Sequence, residues 1–240
     1  MQNVKVSIVT PCLNSEKTIR DTIESVLYQT YRHIEYIIID GGSTDYTLEI
    51  IKEYVPMFQG KLRYISEADK GIYNAMNKGI CMSTGRLIGI LNSDDYYEKN
   101  AVENIVDKYK DDEYQVLYGY MRVISNDKRP YICKDSHQSI LNTMIPHPTC
   151  FLSRKIYREF GLYLEGLKIA ADYELMLRLN KTGKVHFQCI QEIITNFRCG
   201  GASTARRTKY EVSLLRYLYG GLSGAEFVKK IVMDTLQYKV

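Results

Sequence analysis

The chain has 240 residues, 45% of them hydrophobic and 25% charged, which are ordinary values for a soluble globular protein and exclude a disordered chain. This length is enough to bury a core without stabilising disulfides or metal ions, and it predicts one large domain, or one domain with an appendage. The net charge of +4 is concentrated at the C-terminal end. From Gly200 onward seven Lys or Arg oppose three acidic residues, whereas the first 199 residues carry 25 of each sign.

The cysteines and the apolar runs indicate in which compartment of the cell the protein is expected. Six cysteines are scattered without a CxxC pair or a histidine at metal-ligand spacing, which argues against a disulfide framework and a structural zinc site. The first residues, MQNVKVSIVT, run almost directly into a strand and leave no room for a signal peptide. No apolar run approaches the roughly 20 residues of a membrane-spanning helix. We therefore expect a cytoplasmic protein, at most peripheral to the inner face of a membrane.

The N-terminal part of the chain begins with a strand and a helix. Residues 4–10 are rich in β-branched side chains and predict a buried strand that ends at Pro11. Asn14 or Ser15 is expected to cap the next helix, because apolar residues recur at helical spacing from Ile19 onward.

The same unit then repeats. A second strand over 34–39 ends at Asp40, and Ser43 is expected to cap the helix that follows a Gly-Gly turn. Strands over 62–66 and 87–91 enclose a third helix, whose predicted buried stripe is Ile72, Ala75, Met76, Gly79 and Ile80. Strands that alternate with helices at this rhythm predict an α/β fold with a parallel sheet and right-handed crossovers.

After Asp95 the alternation weakens. Asn100 and Glu103 form a predicted capping box at the start of a further helix. The remaining predicted elements are a hairpin over 115–124 and 129–133, helices over 154–160 and from Ala171 to Gly183, and one or two strands over 185–197. Beyond Gly200 the pattern predicts two basic amphipathic helices.

Acidic residues follow three of the predicted strands: Asp40, Glu67, Asp69, Asp94 and Asp95. A single Asp before a Gly-Gly turn is most often a turn residue. However, the carboxyl ends of parallel strands lie along one edge of the sheet, where such folds bind ligands, so these acids share that edge. Carboxylates gathered in this way repel one another unless a cation or a set of hydrogen-bond donors satisfies them. The pattern therefore predicts a site for a divalent cation, a polar ligand, or both.

Two phosphate-binding classes are excluded by their motifs. The segment Gly41-Gly42-Ser43-Thr44 lacks the lysine and the spacing of a P-loop, and no GxGxxG follows the first strand. Acidic turns after strands indicate instead a site that binds a base and a ribose, with a metal ion neutralising the phosphates.

Five segments, in order, carry a resemblance to a known family: VSIVTPCLN, IIIDGGSTD, SEADKGIYNAMNKGI, GILNSDD and AADYELMLRL. They resemble successive signatures of the family 2 glycosyltransferases, in the polysaccharide-biosynthesis branch, over about residues 4–200. The resemblance implies a GT-A fold, with a Rossmann-like, mostly parallel sheet flanked by helices and a C-terminal helical extension. It also implies a nucleotide-sugar donor, with a UDP-sugar favoured, a Mn²⁺ or Mg²⁺ cofactor, and inverting transfer to a saccharide or lipid-linked saccharide acceptor.

The resemblance further implies which residues bind the donor. Thr10 and Pro11 would contact the nucleoside, and Asp40 would accept a hydrogen bond from the base. Glu67, Asp69 and Lys70 would also bind the donor. Of these, Asp69 and Lys70 are expected near the base and phosphates.

The metal and the catalytic base are assigned in the same way. Asp94 would face the ribose or sugar, Asp95 would bind the metal, and Asp172 would be the general base. An inverting displacement requires one carboxylate to take the proton of the acceptor hydroxyl. An Asp at a helix start is otherwise a routine N-cap, and His147 between two prolines is more often structural than a ligand.

These assignments divide the chain into a nucleotide-sugar-binding half (1–97), an acceptor-binding half (98–199) and a basic helical tail (200–240). The tail composition is typical of helices that lie on an anionic membrane, or that cover the domain or a second subunit of a homo-oligomer. A sugar-nucleotide-forming nucleotidyltransferase is a disfavoured alternative, because TPCLNSEKT is not its glycine- and basic-rich loop. A non-catalytic nucleotide-sugar-binding protein is the other alternative, and the intact Asp95 and Asp172 argue against it.

Overall fold

The computed structural model describes residues 4–111, 113–125, 128–200 and 206–236. Its strands are β1 (Val6–Cys12), β2 (Ile34–Asp40), β3 (Leu62–Ser66), β4 (Leu87–Ile90), β5 (Tyr96–Tyr97), β6 (Gln115–Ile124), β7 (Tyr131–Cys133), β8 (Phe151–Ser153) and β9 (His186–Arg198). Its α-helices are α1 (Ile19–Leu27), α2 (Thr47–Tyr54), α3 (Ile72–Met82), α4 (Ala101–Val106), α5 (Arg154–Phe160), α6 (Ala171–Thr182), α7 (Arg206–Leu218) and α8 (Gly224–Leu236).

The strands form one sheet in the order β3-β2-β1-β4-β8-β6-β9-β5, and β7 also pairs with β6. The first four strands are parallel, as the alternating pattern predicts. β1 and β2 are buried at every position, which agrees with strands that have helices on both faces. Their carboxyl ends therefore meet at one edge.

The second half of the sheet combines both pairing directions. β8 is antiparallel to β4 and β6, whereas β6 and β9 are parallel. The predicted hairpin is confirmed, with Met121 of β6 opposite Cys133 of β7. The predicted strand or pair of strands over 185–197 is one strand of 13 residues, β9.

Two apolar layers cover the faces of the sheet, because successive residues of a strand point to opposite sides. Ile8 of β1 belongs to the layer that contains Ile23 of α1 and Ile51 of α2. The next residue, Val9, belongs to the layer that contains Met76 of α3 and Leu175 of α6.

The prediction that Pro11 ends the first strand is wrong. β1 continues past it, and Pro11 lies opposite Ile39 of β2. The Leu91 N–H donates to the Val9 carbonyl, and the pairing of β1 with β4 stops at Val9. Pro11 therefore lies where β1 has run past the end of β4, so its missing N–H costs little.

The predicted helix caps are wrong for Asn14 or Ser15 and for Ser43, whereas Asn100 is the N-cap of α4 as predicted but without the hydrogen bonds of the Asn100–Glu103 capping box. The N-caps of α1, α2 and α4 are Thr18, Tyr46 and Asn100, and none of these three makes a side-chain capping hydrogen bond. The Ser43 hydroxyl instead donates to the Asp40 carboxylate at 2.5 Å, and the Glu103 carboxylate accepts from the Thr30 hydroxyl at 2.7 Å. Partners outside each helix have outcompeted the local caps.

The C-terminal extension consists of the two predicted helices. α7 packs on the body of the protein through Leu215, which is 4% exposed. α8 packs on α7, and the rings of Tyr217 and Phe227 stack with centroids 5.1 Å apart. Within the described residues, none of the helices combines the length and apolar character required to cross a membrane.

Candidate active site

A cavity of about 710 Å³ opens at the carboxyl edge of the parallel strands. This volume is within the usual range for small-molecule sites. The predicted site residues that line it are Pro11, Asp69, Asp94 and Asp172, and His147 lies on its wall as well. Ile72, which was expected in the buried stripe of α3, is 41% exposed because this first helical residue also lines the cavity.

Thr10 and Asp40 are fully buried and have partners within the protein. The Asp40 carboxylate accepts hydrogen bonds from the hydroxyls of Ser43, at 2.5 Å, and Ser66, at 2.6 Å. The Thr10 hydroxyl accepts from Tyr36 at 3.0 Å. In this structure Asp40 therefore fixes the turn after β2, and its contact with a nucleotide base stays a prediction.

Lys78 of α3 joins the acids that follow β3. Its ammonium group lies 2.5 Å from Asp69 Oδ1 and 2.6 Å from Glu67 Oε1. The other Asp69 oxygen, Oδ2, is buried and has no hydrogen-bond partner in the described part of the chain. An unpartnered acceptor at a cavity wall suits a ligand N–H or O–H, because a buried polar atom without a partner is costly. Lys70 is exposed and does not line the cavity.

The acid pair after β4 is divided between the cavity and the interior. Asp94 lines the cavity, whereas Asp95 is fully buried. Asp95 Oδ1 accepts the backbone N–H of Arg198 at 3.1 Å, and Oδ2 is 3.4 Å from the side-chain amide nitrogen of Asn92. Burial raises the pKa of Asp94, and burial together with the neighbouring Asp94 raises the pKa of Asp95 to about 8. The pair is therefore a place where added positive charge is favourable.

The donor atoms of this pair are compatible with a divalent cation, although they do not enclose one. The described residues contain no cluster of three or more His, Cys, Asp or Glu that could hold a metal ion. Mg²⁺ is ordinarily bound by one or two carboxylates together with substrate phosphates, rather than by a complete set of protein ligands. Asp94, on the cavity wall, thus fits a cation that a phosphate-bearing ligand helps to bind, whereas Asp95 is buried and does not line the cavity, so its role as a metal ligand stays a prediction.

Asp172 occupies the first turn of α6 and faces the same cavity. Its Oδ1 accepts the Tyr173 N–H at 2.8 Å and lies 3.1 Å from the Tyr73 hydroxyl, which shares its one proton between this oxygen and the Ile169 carbonyl. Its Oδ2 lies 4.0 Å from His147 Nδ1, and His147 Nε2 is 2.8 Å from the Tyr163 hydroxyl. Burial lowers the pKa of His147, although Asp172 opposes this shift, so we expect a neutral imidazole at pH 7. The arrangement orients one carboxylate and leaves it 21% exposed.

Three residues of this site are absent from the sequence predictions. Tyr73 orients Asp172, Lys78 neutralises Asp69, and the Arg198 N–H bonds to Asp95. Tyr73 and Lys78 occur in a helix, where an aromatic residue is usually core and a lysine is usually solvated. Arg198 is 103 residues from Asp95 in sequence, so only the fold brings them together.

The acid-lined cavity lies at the carboxyl ends of the parallel strands, which is where open α/β sheets bind their ligands. Residues 7–207 match the sequence profile of glycosyl transferase family 2, and the chain belongs to this family. A chondroitin synthase of Escherichia coli is 32% identical over 208 residues, which are 83% of this chain and 30% of the synthase. The chain thus spans less than a third of that relative.

Solved structures show the same fold at low sequence identity. Residues 1–349 of Staphylococcus aureus TarS, in complex with UDP-GlcNAc, superpose with a TM-score of 0.71 at 20% identity, covering 94% of this chain and 69% of that one. The mannosyltransferase PcManGT from Pyrobaculum calidifontis, in complex with GDP-Man and Mn²⁺, gives 0.70 at 14% identity, covering 90% and 64%. The expected GT-A fold is confirmed.

Proposed function

We propose that this protein is an inverting glycosyltransferase that moves a sugar from a nucleotide-sugar donor to a hydroxyl acceptor in cell-surface polysaccharide or glycolipid biosynthesis. The observation that carries this proposal is that Asp94 and Asp172 line one cavity, one at a strand exit and the other at a helix start. The related chondroitin synthase and the likeness to TarS and PcManGT support the reaction class.

The donor half of the cavity suits a nucleoside diphosphate sugar. Pro11 lies on the wall, and the buried Asp69 Oδ2 offers an acceptor for a base. Thr10, Asp40, Glu67 and Lys70 are assigned to the same half by their positions in the family motifs. A UDP-sugar is favoured, since a neighbour of the same fold binds UDP-GlcNAc, although another binds GDP-Man.

We assign Mn²⁺ or Mg²⁺ to the acid pair, with Asp95 as the protein ligand and Asp94 toward the ribose or sugar. The PcManGT complex contains Mn²⁺, which supports this assignment. A cation bound there supplies Lewis-acid stabilisation of the negative charge on the leaving diphosphate.

Asp172 is assigned as the general base of a single displacement. The acceptor oxygen bonds to the anomeric carbon while the bond from that carbon to the diphosphate oxygen breaks. The hydroxyl proton passes to the Asp172 carboxylate, and the nucleoside diphosphate leaves with the bonding electron pair. A nucleoside diphosphate is a good leaving group, so no second carboxylic acid is needed.

Donor specificity is tested with a thermal-shift panel of UDP, GDP, dTDP and CDP, each with and without Mn²⁺. A ligand at 100 times its Kd stabilises by about 2.7 kcal/mol, so the preferred nucleotide is expected to raise the Tm most. The matching nucleotide sugar is then used to glycosylate candidate acceptors, and NMR of the product gives the anomeric configuration. Retention at the anomeric carbon, or no response to any nucleotide, would contradict the proposal, and pyrophosphate release from a sugar phosphate and a nucleoside triphosphate would favour nucleotidyl transfer.

A further inference from the structure

A carboxylate from α7 holds the loop that leads into α6. Glu211 is 5% exposed, and its oxygens accept the N–H groups of three consecutive residues. Oε1 accepts from Lys168 at 3.0 Å, and Oε2 accepts from Lys168 at 3.1 Å, from Ile169 at 2.9 Å and from Ala170 at 3.1 Å. Hydrogen bonds to an ionised acceptor are about twice as strong as neutral ones, so this contact fixes the loop firmly.

The loop held by Glu211 also forms part of the cavity. Lys168 and Ile169 line the wall. The Ile169 carbonyl accepts the Tyr73 hydroxyl at 2.6 Å, and this same hydroxyl lies 3.1 Å from Asp172 Oδ1. The position of the loop and the orientation of the Asp172 carboxylate are therefore joined through Tyr73.

α6 has no cap of its own that would replace this contact. Its N-cap is Ala170, which makes no side-chain capping hydrogen bond. α6 has 12 residues. The dipole of such a helix stabilises a negative charge near its first turn, and here that charge is the Glu211 carboxylate. Removing the Glu211 carboxylate would leave three neighbouring N–H groups without their acceptor, and the N–H of Ala170 is in a buried setting where this is costly.

We infer that Glu211 is a positioning residue for Asp172 and that α7 is part of the catalytic unit. The inference rests on the proposed function, because it assigns Asp172 as the base. Glu211 lies beyond residue 207, where the match to the family profile ends, so it is a feature that this profile does not describe. The two helices of the basic tail therefore have different roles. α7 completes the active site, and α8 is free for another role.

The test compares the full-length variants Glu211→Gln, Glu211→Asp and Tyr219→Phe. Gln keeps one acceptor oxygen but loses the charge, so kcat is expected to fall about 10- to 100-fold through misplacement of the base, with donor Kd unchanged. Asp keeps the charge and is expected to recover part of kcat. Tyr219→Phe is the matched control, because it removes another hydrogen bond to α6, from the Tyr219 hydroxyl just after α7 to Glu174 at 2.8 Å, without touching the loop.

A double variant separates positioning from general stability. If Glu211 acts only through Asp172, Glu211→Gln costs no further activity in the Asp172→Asn background. An equal loss in both backgrounds, wild-type kcat for Glu211→Gln, or a loss that follows the folded fraction in thermal melts would overturn the inference. Wild-type turnover by Asp172→Asn would instead contradict the proposed function, so the two failures are distinguishable.

Discussion

At the scale of single residues, Asp172 is surrounded by groups that orient it without removing it from the cavity. Asp172→Asn is expected to lower kcat by about 10² to 10⁴, because the amide cannot accept the acceptor proton. Donor binding should persist, since the Asn oxygen still accepts from the Tyr73 hydroxyl and the Tyr173 N–H. Initial rates and calorimetry with the preferred nucleotide measure the two effects. Asp107→Asn, at an exposed position on the C-cap of α4, is the control.

Glu35 is a buried acidic residue with a structural role, and it lies at the opposite edge of the sheet from the cavity. Its carboxylate accepts from the Ser7 hydroxyl at 2.5 Å and from the Thr84 N–H at 2.5 Å, and it pairs with Lys5 at 2.9 Å. Burial by itself raises the pKa of Glu35, but the hydrogen bonds from Ser7, Lys5 and Thr84 outweigh it and lower the pKa to about 2.

This lowered pKa predicts an acid-sensitive contribution to stability. A carboxyl with a lower pKa in the folded state stabilises fully above its ordinary value of 4.5, and the contribution is lost as the pH falls toward 2. The shift corresponds to about 3 kcal/mol. Urea unfolding between pH 6 and pH 3 is expected to show the gap between wild type and Glu35→Gln narrowing as the pH falls. A gap that is constant with pH would contradict this, and Glu49→Gln, at an exposed position, is the control.

At the scale of elements, the close approach of α3 to β1 depends on a glycine. A Cβ on Gly79 would lie 2.2 Å from Val9 Cγ1, well inside the contact distance. Gly79→Ala is expected to lower the free energy of unfolding by about 1 to 2 kcal/mol, because overpacking outweighs the better helix propensity of alanine. Urea titration measures this, and Cys81→Ala, at an exposed position of the same helix, is the control. If the Val9→Ala/Gly79→Ala pair loses as much as the two single changes summed, the packing argument is wrong.

Element boundaries were predictable where one local signal determines them. The strand predicted over 62–66 is β3, and the helix predicted over 154–160 is α5. Gly183, in a left-handed conformation, ends α6 as predicted. The caps were not predictable, because α2 begins after Tyr46 rather than after Ser43, and the side chains of Ser43 and Glu103 bond to Asp40 and Thr30 instead. A capping motif competes with every donor and acceptor that the fold brings near.

At the scale of the whole molecule, the parallel pairing of the first four strands was predictable from the sequence, whereas the strand order of the second half, apart from the hairpin of β6 and β7, was not. Alternating strands and helices leave few arrangements for β1 to β4. The insertion of β8 between β4 and β6, and the parallel pairing of β6 with β9, come from long-range contacts that no local pattern encodes. The same limit applies to the site: the motifs predicted which acids follow strands, whereas the hydrogen bond from the Arg198 backbone N–H to Asp95 depends on the fold.

The surface of α8 provides the last prediction. Val228, Val232 and Met233 are 60%, 50% and 49% exposed, and Lys229 and Lys230 are exposed beside them. Apolar side chains flanked by lysines are typical of helices that lie on anionic membranes. Lys229→Glu/Lys230→Glu is therefore expected to abolish cosedimentation with phosphatidylserine vesicles at low salt, whereas the wild type is released only as salt rises.

A charge-matched control decides between this membrane role and a packing role for α8. Lys52→Glu/Lys184→Glu changes the net charge by the same amount at exposed positions outside the tail, so it should leave vesicle binding intact. Removing the whole tail would not be a clean test, because Glu211 and Leu215 of α7 are buried against the body and truncation would disturb the active site. Equal binding by the two double variants would point to nonspecific charge. No binding by the wild type would leave the apolar face of α8 to a second subunit, because an exposed stripe of this kind is stabilised when another surface covers it.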